Sequence, residues 1–173
     1  KEKSLSLLAE GWRAAYDAEW SMRYPQPKVL LRQKQREFVE AINDLPSIDL
    51  SEDLRCLASA VYFEARGEPF DGQLAVAEVV LNRARSGRYP TTYCGVVKQP
   101  AQFSFVRRGQ FPQVNTQSAA WGYAQSIARI AQRQLVEALP DDVLWYHADY
   151  VAPGWGRRLS KVDKIGANIF YRS

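Results

Sequence analysis

Apolar residues recur every three or four positions at the start of the chain. Leu5, Leu8, Trp12, Tyr16 and Trp20 predict an amphipathic helix over 4–22, and Pro25 and Pro27 end it. Leu31, Phe38 and Ile42 predict a second helix over 29–43, with Arg32, Lys34, Arg36 and Glu37 among its polar residues. Asn43, Asp44 and Pro46 close it. These two helices form an N-terminal extension, 1–48. Packing is expected for it, because Trp12 and Trp20 are costly to leave in water.

The pattern then tightens into one domain over 49–173. Ser51 opens a helix, with Glu52 and Asp53 favourable in its first turn. The helix runs to Ala65, Gly67 supplies a left-handed stop, and Pro69 enforces the break. Asp71 is the expected N-cap of the next helix, 72–86. Leu74, Val76, Ala77, Val79, Val80, Leu81 and Ala84 make that helix apolar over most of its circumference. Glu78, Asn82 and Arg85 fall on its polar remainder.

Residues 87–115 are loop-rich. Within them Gln102–Val106 alternates like a short strand, and Arg107-Arg108-Gly109 reads as a turn. A long helix is expected over 116–138, capped by Asn115 or Thr116. Its buried stripe is Trp121, Ala124, Ile127, Ala128, Ala131 and Leu135. Val143–Tyr150 and Ile169–Arg172 read as strands around the loop Pro153-Gly154-Trp155-Gly156. The class is mainly helical with a little strand.

Composition changes this picture modestly. The chain has 173 residues, 46% of them hydrophobic, which suits a domain with a real core. A net charge of +4 suits an anionic partner such as nucleic acid, anionic lipid or a cell-wall polymer, and equally suits an ordinary basic surface. Its basic residues are scattered without a groove motif, so nucleic-acid binding is not expected. No apolar run approaches the ~18 residues of a membrane span, so no stable membrane insertion is expected. Without an initiator Met, Lys1 reads as a processing boundary, with any signal peptide upstream. Cys56 and Cys94 make no metal pattern. They are either two buried thiols, as in a cytosolic protein, or one disulfide, as outside the cytoplasm. On a helical wheel Cys56 lies well off the Leu57/Val61 stripe, within reach of another segment.

The chemistry narrows by elimination. His147 is the one histidine, so no HExxH zinc motif exists and no metal is expected. There is no phosphate-cradling glycine loop and no GxSxG elbow. Cys94 and His147 carry no local signature of Cys–His catalysis. Carboxylates remain. At 100° per residue Glu64 falls close to Leu57 and Val61, on the side a helix buries. Burial and the negative helix end both disfavour its charged form, and a carboxyl kept protonated can act as a general acid. Alternatively it is a buried carboxyl bonded for structure. Glu68, four residues on, either shares its face or lies past the helix end, paired with a cation such as Arg66. Two glutamates one turn apart do not readily flank a scissile glycosidic bond. A lone acid suffices where the substrate carries its own nucleophile.

Ordered motifs then resemble a known family. Tyr62-Phe63-Glu64-Ala65-Arg66-Gly67-Glu68, Gly72-Gln73, Ala75-Val76-Ala77 and Asn82-Arg83 come first. Cys94-Gly95-Val96-Val97, Gln102-Phe103-Ser104, Tyr146-His147, Pro153-Gly154-Trp155, Gly166 and Phe170-Tyr171 follow in order. Together, over 53–172, they resemble the cell-wall hydrolases of the SleB/CwlJ spore-cortex-lytic type. One departure is Asn168, where the family commonly has histidine. Asn still hydrogen-bonds but carries no proton charge.

The resemblance implies a lysozyme-like α+β fold, mainly helical, with a small sheet and a substrate groove. It implies action on peptidoglycan glycan strands at the MurNAc–GlcNAc bond, as a lytic transglycosylase without cofactor, with Glu64 as catalytic acid. A water-using muramidase, with Glu68 or another acid as base, and a non-catalytic peptidoglycan-binding protein are the alternatives. Gln102 and Ser104 would bond acetamido groups; Tyr146, His147 and Trp155 would line the groove; Phe103 would pack in the core. Glu68 would raise the pKa of Glu64, and Asn82 and Arg83 would hold the active helix. A periplasmic or secreted location follows, and with it a Cys56–Cys94 disulfide. Residues 1–48 fall outside the resemblance and are left to recruit a protein partner, occlude the groove or extend it.

Overall fold

A computed structural model describes residues 50–173, so both helices expected in the extension lie outside the described residues. The first described helix, α1, spans Glu52–Ala65. The Ser51 hydroxyl accepts from Leu54 N–H at 3.1 Å, and Glu52 and Asp53 occupy the first turn, where the dipole favours acids. Gly67, at φ +88°, turns the chain as expected.

Helix α2 spans Phe70–Arg85, where the sequence pattern indicates 72–86. Pro69 stands at its cap position, and Asp71 lies inside the first turn, where its Oδ1 accepts from Gly72 N–H. Asp71 is therefore not the N-cap: proline presets the entry angle and the helix starts directly after it. Helix α3 is a short turn, Tyr93–Val97, within the expected loop. Helix α4 spans Ala119–Gln132, shorter than 116–138. Ser118 caps it, accepting from Trp121 N–H at 3.2 Å, and Gln134 at φ +52° ends the helical path.

Three antiparallel strands follow: β1 (Trp145–Ala148), β2 (Ser160–Ile165) and β3 (Asn168–Arg172), in the order β1-β3-β2. Register pairs Tyr146 with Phe170 and His147 with Ile169. Two expected strands appear, the first trimmed at both ends and the second longer by Asn168. A third, β2, carries no apolar alternation because most of it is exposed. Gln102–Val106 is a run of turns rather than a strand. Its period-two look comes from Phe103 and Phe105, which turn inward from irregular backbone.

The core has two parts, with α2 between them. Leu57, Val61, Leu74, Val80, Ile127 and Ile130 fill the space among α1, α2 and α4. Ala75, Val76 and Val79 on another side of α2 pack with Val143, Ile165 and Phe170 under the sheet. Each fully buried Leu, Ile or Phe here contributes about 1.5–3 kcal/mol. A helix sandwiched this way is buried on every side from Gly72 to Arg83, with Arg85 exposed at its end. Glu78 and Asn82 are therefore only 6% and 7% exposed, not on a solvent face.

Candidate functional site

Glu64 sits in the last turn of α1, half-buried, above the wholly buried Leu57 and Val61. Strand β1 brings Tyr146 to it across 82 residues of sequence, and the phenol donates to Glu64 Oε2 at 3.1 Å. Among the described residues no other donor bonds this carboxyl, so Oε1 is the oxygen left to carry a proton. Burial raises the Glu64 pKa, and the Tyr146 hydrogen bond lowers it by a smaller amount. Burial and then the Glu64 charge hold the Tyr146 phenol well above its ordinary value, so it stays a donor. Its ring stacks on Phe170, with centroids 5.5 Å apart.

The backbone that presents Tyr146 is fixed from α2. Glu78 accepts from Ala138 N–H and Leu139 N–H at 2.8–3.0 Å. One turn on, Asn82 Nδ2 donates to Pro140 O and Val143 O at 3.0 and 3.1 Å. Arg83 Nε donates to Leu144 O at 2.8 Å, and its Nη1 to Gln102 Oε1 at 3.4 Å. Buried polar side chains thus satisfy a run of otherwise orphaned backbone groups just before β1. Glu78 carries a sign of the cost: burial pushes its pKa up to about 8 despite those bonds, with Glu137 adding repulsion.

The other motif residues lie in different places. Glu68 does not pair with Arg66. Its Oε2 accepts from Ala167 N–H at 3.2 Å, between β2 and β3, while the Arg66 guanidinium lies 4.7 Å above the Tyr62 ring. Gly166 (φ +58°) leaves room for that carboxylate: a Cβ there would collide with Glu68 Oε2. Gln102 and Ser104 are exposed on the turn-rich loop, and Phe103 is buried in the helical core.

Strand alternation sends His147 to the sheet face opposite Tyr146. There its ring stacks on Tyr171 at 5.2 Å, edge-on to Trp155 at 5.5 Å. His147 Nδ1 bonds Ala148 O, which can only accept, so Nδ1 donates there, and Nε2 lies 2.8 Å from the Tyr171 hydroxyl. Both ring nitrogens are thereby occupied. Trp155 lies in a 3-10 turn, Gly154–Arg157. Asn168 is buried at the start of β3, opposite Ala148. The site residues therefore separate into the Glu64–Tyr146 pair, the Glu68 latch, the Gln102/Ser104 loop and the His147–Trp155–Tyr171 cluster.

Cys56 on α1 and Cys94 on α3 form a disulfide, closing the chain across 38 residues and tying the helix of Glu64 to the segment before Gln102. Among the described residues no group of three or more His, Cys, Asp or Glu converges as metal ligands would. No described helix is long and apolar enough to cross a membrane.

Comparison with known proteins agrees with this architecture. The model of the Cell Wall Hydrolase family matches residues 67–171, a span that begins just past Glu64. The spore cortex-lytic enzyme of Oceanobacillus iheyensis is 32% identical over 133 residues, covering 72% of this chain and 45% of that protein. That of Bacillus subtilis is 33% identical over 127 residues, covering 73% and 40%. The chain thus spans less than half the length of these curated relatives. The catalytic domain of the germination-specific lytic transglycosylase SleB from Bacillus anthracis superposes with a TM-score of 0.61 at 32% identity, over 74% of this chain and all of that one. The catalytic domain of the Bacillus cereus SleB protein gives 0.54 at 32% identity, over 73% and 94%. The fold is that of the SleB catalytic domain, and the chain belongs to the Cell Wall Hydrolase family.

Proposed function

We propose that this chain degrades peptidoglycan outside the cytoplasm, cleaving the MurNAc–GlcNAc β-1,4 bond as a lytic transglycosylase with one catalytic carboxyl, Glu64. The observation that carries this reading is the isolation of Glu64. Burial raises the pKa of its carboxyl, which touches one donor, Tyr146, while the nearest acid in sequence, Glu68, is spent on the Ala167 amide. The relatives' names support the substrate, and the Bacillus anthracis domain is itself described as a lytic transglycosylase. A disulfide between Cys56 and Cys94 suits an oxidising compartment.

Protonated Glu64 gives its proton to the glycosidic oxygen, and the bond from that oxygen to MurNAc C1 breaks. The carboxylate, still hydrogen-bonded by Tyr146, then takes the proton of the C6 hydroxyl as O6 attacks C1. A 1,6-anhydro ring forms, Glu64 is reprotonated, and no water is consumed. Tyr146 stabilises the ionised form between the two steps. Glu64→Gln tests this role. It should lower muropeptide release from sacculi by about 10²-fold or more, with unchanged binding to sacculi and no loss of folded structure. Release at the wild-type rate from Glu64→Gln would remove Glu64 from the chemistry. Wild-type protein that binds sacculi without releasing fragments at any pH would make the chain a binding module.

A further inference from the structure

The chemistry above makes no use of a cleft of ≈ 460 Å³ lined by Ser104, Phe105, Arg107, Gln110, Phe111 and Pro112. A tight turn builds it. Arg107 N–H donates to Gln110 O and Gln110 N–H to Arg107 O, each at 3.0 Å. Arg108 and Gly109 between them both have positive φ, 53° and 73°, the signature of a two-residue hairpin turn. Phe105 stacks on Phe63 at 4.8 Å and lies 5.8 Å from Phe111. Phe63 immediately precedes Glu64, so the aromatic floor is fastened to the catalytic helix. Gln102, at the start of the loop, is fastened through Arg83 to Leu144, two residues before Tyr146. The cleft is therefore held to the neighbourhood of the acid from two directions.

Its chemistry is apolar and cationic together. Phe105 and Phe111 are half-buried, Arg107 and Arg108 are exposed, and Lys98 Nζ stands 5.5 Å from the Phe111 ring centroid. None of the six lining residues is acidic. A neutral sugar would stack on the rings but would find no use for the cations. A bare muramic acid offers one lactyl carboxylate and no apolar bulk. A peptide substituent offers side-chain methyl groups for the rings and free carboxylates for the guanidinium.

We propose that this cleft binds the stem peptide carried by a muramic acid residue of the strand being cut, with a stem carboxylate on Arg107 and apolar side chains on Phe105 and Phe111. The assignment rests on the reading of the chain as a peptidoglycan enzyme and names a specificity site for it.

The test compares peptide-bearing glycan strands with strands stripped of peptide by an amidase. Arg107→Gln and Phe111→Ala should each cut the kcat/KM ratio of peptide-bearing over stripped strands by about tenfold, the loss of one charge-assisted or stacked contact. Arg107→Lys should recover part of the ratio. An equal loss on both strands, or an unchanged ratio, overturns the proposal. A binding arm uses the non-cleaving Glu64→Gln protein in co-sedimentation with both strand types. Its preference for peptide-bearing strands should vanish when Arg107→Gln is added, and a preference that survives also overturns the proposal. Wild-type protein that cleaves neither strand refutes the enzyme reading. A peptide preference that disappears with Arg107 would still uphold the cleft.

Discussion

Two opposed influences meet on the Glu64 carboxyl: burial resists its ionisation, and the Tyr146 hydroxyl favours it. Their balance sets a pH response. With its pKa raised, Glu64 keeps its proton to higher pH than a free carboxyl, and activity falls as pH rises through that value. Removing the phenol removes the lowering influence. Tyr146→Phe should therefore move the descending limb of the kcat profile to higher pH while lowering kcat, because the ionised intermediate loses its donor. A limb displaced to lower pH would contradict this assignment. Glu64 itself was legible in the sequence, since its wheel position beside Leu57 and Val61 is that of residues the fold buries completely. Tyr146 was legible as part of a motif, but its contact was not, because 82 residues and a strand pairing separate the two. Placing Tyr146 and His147 together on the groove overlooked the alternation of the strand predicted over Val143–Tyr150, which sends the two side chains to opposite faces.

At the level of elements, α2 does more than fill the core. Glu78, Asn82 and Arg83 hold the backbone of 138–144 by side-chain hydrogen bonds, and that backbone leads directly into β1. The polar remainder of the helix, Glu78, Asn82 and Arg85, did not reveal which members are buried, because a buried polar residue satisfied by distant backbone has the same helical spacing as an exposed one. Burial raises the Glu78 pKa from 4.5 to about 8. The folded chain then keeps a proton that the unfolded chain releases between those values. Stability is therefore greatest below about pH 4.5 with respect to this group and declines as pH rises to about 8. Burial of Glu64 adds a decline of the same sign. Urea unfolding across this range should show a shallower decline for Glu78→Gln than for the parent; parallel curves would contradict it. The Glu68 latch gives a second prediction. Gly166→Ala places a Cβ against Glu68 Oε2 at a backbone angle that favours glycine, and should cost about 1–3 kcal/mol by the same measurement. Helices α1 and α2 were legible from periodicity and turn residues. Strand β2 was not, since an exposed edge strand carries no apolar alternation.

Across the whole domain, the Cys56–Cys94 bond joins the helix of the acid to the segment that opens the Gln102 loop. Its 38-residue separation corresponds to about 4 kcal/mol of chain-entropy stabilisation, so reduction should lower the urea midpoint markedly. An unchanged midpoint would show that the cross-link constrains little. Intact mass without reductant should lie two hydrogens below the reduced value. The proposed reaction has one carboxyl, carried by a helical core beside a small sheet, cutting a glycan without a second acid. Mass spectrometry of the muropeptides released from sacculi by the wild-type chain tests it most directly. The expected products carry 1,6-anhydro-muramic ends, with their release by Glu64→Gln lowered about 10²-fold or more; reducing muramic ends in their place would refute the transglycosylase reading.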